Sequence, residues 1–352
     1  LLQLSMKFYY LKIWFDILTP KQYLFFEYFI QKLQKQHKIL CTSRKYEQVN
    51  GIRKFGSINP IIIGKHGGKN NVNKLLASLD RSKLLTKKIE KNDPDLLISF
   101  CSPEASRVAF GLGLPHIAFS DSPHAKAVMR LALPYTTKLL TPWIIPKKDF
   151  EGFGIDYKNI INYRTIDAAV IIKNYKKNKQ KKSNLRKMIL IRPEESEAAY
   201  ITKKSKTVKI LKKIIEKFPD EQKIVLSRYK EQTIELKKIF GTSICLLSKP
   251  VSGKELLNNV DCFIGSGGTM TAESGLLGIP TISFNAIPNR IEDFLVKKRI
   301  IVRSENPDRI SREIYQSLNN TQIIKKRKEN ARKLVMSFED PYQVLLKTIR
   351  TL

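Results

Sequence analysis

The sequence predicts an α/β protein built of two doubly wound domains in tandem. Three observations carry this. Short apolar runs rich in Ile, Val, Leu and Phe alternate with longer amphipathic segments over residues 12–172, the pattern of parallel βαβ units. A basic, aperiodic run over 173–187, with eight bases and no acid, then interrupts it. From residue 188 the alternation starts again. A chain of 352 residues has the length of two ordinary domains.

The elements follow in order. KIWFD (12–16) is a strand, and residues 21–37 form a helix with Leu24, Phe25, Phe29 and Leu33 on one face. KILCTSR (38–44) is a strand, 46–55 a short helix and INPIIIG (58–64) a strand. A helix near 72–91 leads to the strand DLLISF (95–100), and one near 103–112 to PHIAFSD (115–121). TKLLTP (137–142) and KNIINY (158–163) complete the first set of strands. The run 173–187 lacks apolar periodicity and reads as a solvated linker. In the second half the strands are MILIR (188–192), KIVLSR (223–228), SICLL (243–247), DCFIG (261–265) and PTISF (280–284). Between and after them come helices over 203–217, 230–239, 254–259, 269–278 and 291–298, then near 307–317, 321–337 and 341–351. The expected domains are 1–172 and 188–336, joined by the linker, with 337–352 packing back on the N-terminal domain.

Composition narrows the class. An apolar content of 42% is enough for two cores and excludes general disorder. The net charge of +32 directs attention to an anionic partner: nucleic acid, an acidic membrane or a phosphorylated ligand. That charge is spread over both halves, so it also fits a Lys-rich solvated surface. The basic run contains one aromatic residue, Tyr175, where a nucleic-acid-binding segment would interleave several, and nucleic acid is not expected as a partner. Cys41, Cys101, Cys245 and Cys262 form no CxxC pair and read as buried free thiols in a reducing cytoplasm. The apolar N-terminus is interrupted by Lys7, Lys12 and Asp16, too short to span a bilayer and without a small-residue cleavage site. Met6 reads as the natural start.

Ligands of doubly wound sheets bind beyond the carboxyl ends of the strands. The residues there are polar: Asp16, Ser43, Arg44, Lys65, His66, Ser102 and Asp121 in the first half, Arg192, Arg228 and the glycines from Gly265 in the second. Two such edges facing each other would make a polar cleft. The sharpest segment is GSGGTMTAESGLLGIP (265–280), which follows a strand and opens a helix. Gly267 and Gly268 admit close approach of a ligand to the backbone, and the helix N-terminus with Thr269 suits phosphate. Glu273, one turn deeper on the same face, suits two vicinal hydroxyls such as those of a ribose. For acid–base work the candidates are His124, with Asp121 three residues before it to orient the imidazole, His66 and Asp16. His37 and His116 read as structural. No metal-ligand cluster, P-loop or Ser-His-Asp order is found.

The Gly-Gly-Thr, Glu and Gly-x-Pro spacing resembles the nucleotide-sugar site of GT-B proteins, which include UDP-N-acetylglucosamine 2-epimerase and the peptidoglycan N-acetylglucosaminyltransferase. The chain is more similar still to a mainly archaeal family of unknown function with that fold. The segments that carry this likeness are KIWFDILTPKQYLFF (12–26), IIIGKHGG (61–68), ISFCSPEASRVAFGLGLPHIAFSDSPHA (98–125), VLSRYKEQ (225–232) and IGSGGTMTAESGLLGIPTIS (264–283). The resemblance implies a GT-B fold of two Rossmann-like domains facing across a cleft. It implies that Ser266, Gly267, Gly268 and Thr269 hold a nucleotide diphosphate, that Glu273 holds the ribose, and that Arg192 and Arg228 neutralise phosphate. Two segments depart from the epimerases: their Gly-Thr-Arg-Pro loop is here Asp16–Pro20, and their His-x-Glu-Ala-Gly-like segment is here Ser120–Ala125.

The expectation is therefore a cytoplasmic enzyme that binds a UDP-sugar as substrate, with no metal and no separate cofactor, and transfers the sugar. Isomerisation, as in a 2-epimerase, is the alternative. A non-catalytic nucleic-acid-binding or sugar-nucleotide-sensing protein is the alternative from another class. If the acceptor is lipid-linked, the basic surface would bring the protein to an anionic membrane.

Overall fold

The computed structural model describes residues 10–45, 57–68, 70–175, 186–193, 204–227, 230–247, 253–284 and 286–352. The chain divides into two units, residues 1–165 with 340–352, and residues 166–339. The helix expected over 46–55 and the central part of the expected linker lie outside the described residues.

The first unit holds β1 (Lys12–Ile17), β2 (Lys38–Lys45), β3 (Ile61–Lys65), β4 (Leu96–Ser99), β5 (His116–Phe119), β6 (Lys138–Pro142) and β7 (Ile160–Tyr163). Every pair is parallel, in the order β3-β2-β1-β4-β5-β6-β7. The order reverses between β1 and β4, the switch point where ligands of such sheets bind. Helix α1 (Pro20–Leu33) starts where Thr19 caps it and Pro20 presets its first turn. Its inner face puts Phe25, Phe26 and Phe29 against Phe15, Phe100 and Phe119, edge to face or tilted, with centroids 4.9 to 5.8 Å apart. Helix α2 (Asn71–Asn92) buries Ala77, Arg81, Leu85 and Ile89, a four-residue repeat on one face. Helices α3 (Pro103–Gly111) and α4 (Lys126–Ala132) follow β4 and β5.

The second unit begins with α5 (Asp167–Lys173) and continues with β8 (Met188–Arg192), α6 (Lys204–Lys217), β9 (Gln222–Leu226), α7 (Lys230–Phe240), β10 (Cys245–Leu247) and α8 (Gly253–Asn258). Then come β11 (Cys262–Gly265), α9 (Thr269–Leu276), β12 (Thr281–Ser283), α10 (Arg290–Lys297), β13 (Val302–Arg303), α11 (Pro307–Asn319) and α12 (Thr321–Met336). The sheet is again parallel, in the order β10-β9-β8-β11-β12-β13, and its core joins Ile189, Ile191 and Ile264 to Ile210, Ile214, Ile310 and Ile314 of the covering helices. The last helix, α13 (Pro341–Arg350), belongs to the first unit, where Asp340 accepts from Tyr28 Oη at 2.7 Å and from Lys32 Nζ at 2.9 Å.

Three expectations change. The first unit ends at Thr165, not at residue 172, because α5 packs on α9 of the second unit. Helices α4 and α5 and the two-residue β13 are additional; each is too short for its apolar period to stand out. Cys101 and Cys262 are buried, but Cys41 is half-buried and Cys245 exposed. Among the described residues, no helix is long and apolar enough to cross a membrane.

Candidate functional site

At the switch point of the second sheet, between β8 and β11, the register pairs Gly265 with Arg192. Beyond Gly265 the chain turns through Gly267 and Gly268, with φ of 78° and 80°, left-handed values that L side chains adopt rarely. A Cβ on Gly267 would stand 2.9 Å from both Ala286 Cβ and Glu292 Oε2, whereas one on Gly268 would meet nothing within 4 Å. Gly267 is thus packed down and Gly268 borders open space. Thr271 Oγ1 donates to the Gly267 carbonyl at 2.8 Å and lashes the turn to the helix it opens. Gly268 is the N-cap of α9 and brings no capping side chain, so the first-turn N–H groups, Thr269 among them, have no intrahelical acceptor. Ser266 is half-buried, its N–H donating to the Arg192 carbonyl at 3.3 Å.

Arg192, at the end of β8, lies along α9 with Nη1 3.0 Å from Met270 Sδ. Its charge reaches Glu273, which is 4% exposed. Burial pushes the Glu273 carboxyl above its usual range, while the Tyr175 hydroxyl and Arg192 act the other way. Tyr175 Oη donates to Glu273 Oε2 at 2.6 Å. The expected residues Arg192, Ser266, Gly267, Gly268, Thr269 and Glu273 therefore share one sheet edge. Arg228 lies outside the described residues.

Two features here escaped the sequence. One is Tyr175, whose only signal was being the single aromatic residue in a basic run. The other is Glu292, beneath the turn: its Oε1 accepts from Ser283 Oγ at 2.9 Å and from Arg303 Nε at 2.7 Å. Arg303 Nη1 also pairs with Asp293 at 2.7 Å. This clamp ties β12, β13 and α10 to the floor of the turn.

The first sheet's edge corrects the acid–base candidates. Asp16 is fully buried and saturated with donors: Arg81 Nη2 at 2.6 Å and Nη1 at 3.2 Å, Thr42 Oγ1 at 2.6 Å and Ser102 Oγ at 2.6 Å. A carboxylate so placed neutralises Arg81 and ties β1, β2, α2 and the start of α3 together, and it is not a base open to substrate. Asp121 does not orient His124. It pairs with Lys21 Nζ at 2.5 Å and accepts from Ser122 Oγ at 2.8 Å, and His124 is exposed. His66 is also exposed; its Nδ1 accepts from Gly68 N–H at 3.1 Å, which leaves Nε2 to carry the neutral ring's proton. Partial burial and the charges of Arg44 and Lys74 hold its pKa below the usual value. His116 is structural, buried between Ser99 Oγ at 3.0 Å and Thr136 Oγ1 at 3.3 Å.

Known proteins are similar to this chain in sequence or in fold. A family model described as protein of unknown function (DUF354) matches residues 11–351. An uncharacterised protein of Methanocaldococcus jannaschii is 27% identical over 96% of this chain and 98% of its own length. The UDP-GlcNAc 2-epimerase of Neisseria meningitidis, solved bound to UDP-GlcNAc, superposes with a TM-score of 0.73 at 14% identity, covering 97% of this chain and 100% of that one. The glycotransferase of kitacinnamycin superposes at 0.59 and 13% identity, covering 93% and 96%. These likenesses make the architecture GT-B type, with two Rossmann-like parallel-sheet domains.

Proposed function

The chain belongs to the DUF354 family, and from that premise we propose that it is an enzyme that binds a UDP-type nucleotide sugar at the C-terminal edge of its second sheet and transfers the sugar. The observation that carries this reading is the turn from Gly265 to Thr269. It offers an uncapped helix N-terminus beside open space at Gly268, which suits a diphosphate, and Arg192 adds a cation next to it. Negative charge that develops on a departing diphosphate would be stabilised by these fixed groups. Glu273, one turn deeper, would accept from the ribose hydroxyls.

Isomerisation of a UDP-sugar is the second reading, favoured by the likeness to an epimerase solved with UDP-GlcNAc. Transfer is preferred because Ser120–Ala125 replaces the epimerase segment that carries a His and a Glu.

Calorimetric titration with UDP and UDP-GlcNAc tests the reading. Saturable binding is expected, and Glu273→Ala should weaken it by about 1–3 kcal/mol, the range for a lost hydrogen bond to a charged group. Absence of binding at millimolar UDP, by wild type and by Tyr175→Phe alike, would overturn it. With UDP-GlcNAc supplied, release of UDP marks transfer, and an isomeric UDP-sugar marks isomerisation.

A further inference from the structure

Glu273 combines two properties that conflict. Its place beside the glycine turn suits a ribose, yet it is 4% exposed, and a ligand cannot bond to a carboxylate that stays covered. Tyr175 already bonds to it. Its hydroxyl donates to Glu273 Oε2 at 2.6 Å, and the same hydroxyl lies 3.8 Å from where a Cβ would stand on Gly253, at the start of α8. Lys254 Nζ donates to the Asn174 carbonyl at 3.4 Å. Asn174 and Tyr175 thus reach both α8 and α9, the helices that follow β10 and β11, and Tyr175 sits on the edge where a nucleoside would enter.

A phenol hydroxyl offers a carboxylate what a ribose hydroxyl offers: one neutral O–H donor on a carbon frame, in a short charge-assisted bond. A buried carboxylate stripped of its donor is costly, so Glu273 exchanges one donor for another more readily than it gives one up. We propose that Tyr175 occupies, in the free protein, the position on Glu273 that a ribose hydroxyl takes in the complex, so that Tyr175 is a specificity-determining residue the nucleotide must displace. The inference rests on the reading of Glu273 as the ribose acceptor. The covered form offers a ribose no acceptor at Glu273, so the apparent affinity for a nucleotide is the intrinsic one reduced by the uncovered fraction. Only a ligand with a donor for Glu273 repays the displacement. The device therefore selects a nucleoside diphosphate with free ribose hydroxyls over a bare diphosphate.

The test is calorimetric titration of the full chain with UDP, with 2′,3′-dideoxy-UDP and with inorganic pyrophosphate, on wild type, Tyr175→Phe, Glu273→Gln and the double variant. Tyr175→Phe is expected to bind UDP on the order of tenfold more tightly than wild type. The gain should vanish in the Glu273→Gln background and with the dideoxy ligand. A residue that merely stabilises the fold could lower the melting temperature but would not raise affinity. If wild type binds UDP and Tyr175→Phe binds it equally or more weakly, this inference falls and the nucleotide reading stands. If neither binds UDP, both fall. Binding that appears only in Tyr175→Phe supports the inference most directly. Should Tyr175→Phe not fold, Tyr175→Leu removes ring and hydroxyl together and repeats the measurement with the same expected gain.

Discussion

Asp16 and His116 have ordinary side chains whose roles are decided by what surrounds them. Asp16 and Arg81 are both buried, and Glu104 Oε2 stands a further 3.5 Å from Arg81 Nη1. Removing one partner of such a pair strands a buried charge and typically costs about 3–5 kcal/mol, so these residues answer to folding before chemistry. His116 gives a pH signature. Burial lowers its pKa to about 3, whereas in the unfolded chain it titrates near the ordinary value of about 6.5. The folded state keeps the ring neutral and the unfolded state takes up the proton. This contribution to stability is therefore complete above about pH 6.5 and is lost as pH falls toward 3. At pH 5 the loss is about 2 kcal/mol. In His116→Gln, which can keep a bond to Ser99, urea unfolding measured at pH 7 and pH 5 should show a stability drop smaller than wild type by about that amount.

At the level of elements, most strands and helices were legible because each apolar run is long enough to show its period. The exceptions have physical causes. Helix α5 is seven residues of DAAVIIK directly before a basic run, and its allegiance to the second unit is a packing fact that no local pattern encodes. The glycine turn was legible because φ of about 80° at two successive residues calls for glycine. The Tyr175–Glu273 contact spans 98 residues and has no local signature. The same holds for the enclosure of Asp16, which needs Arg81 from α2 and Ser102 from the start of α3. Helix α13 yields a prediction of its own. Asp340 caps it by accepting from Tyr342 N–H at 3.1 Å and also pairs with half-exposed Lys32. Asp340→Ala removes both, and a cap is worth about 1 kcal/mol with an exposed pair adding little. A loss of about 1–2 kcal/mol in chemical denaturation is expected, without change in UDP affinity.

For the whole molecule, the division at residues 165/166 and 339/340 makes the second unit a continuous stretch and the first a discontinuous one. The second unit has its own sheet and its own core and carries the glycine turn, Arg192, Glu273 and Tyr175. A fragment of residues 166–339 is therefore expected to unfold cooperatively by circular dichroism and to retain UDP binding. Residues 1–165 alone should be less stable than the same residues supplied with α13.

The return of α13 to the first unit also sets the order of events on the ribosome. A nascent chain can complete a domain only after its last piece has emerged. Here the unit that is begun first waits through the synthesis of the whole second unit for residues 340–352, so the second is finished before the first. A stop codon near residue 339 would leave the late-made unit whole and the early-made one without its closing helix.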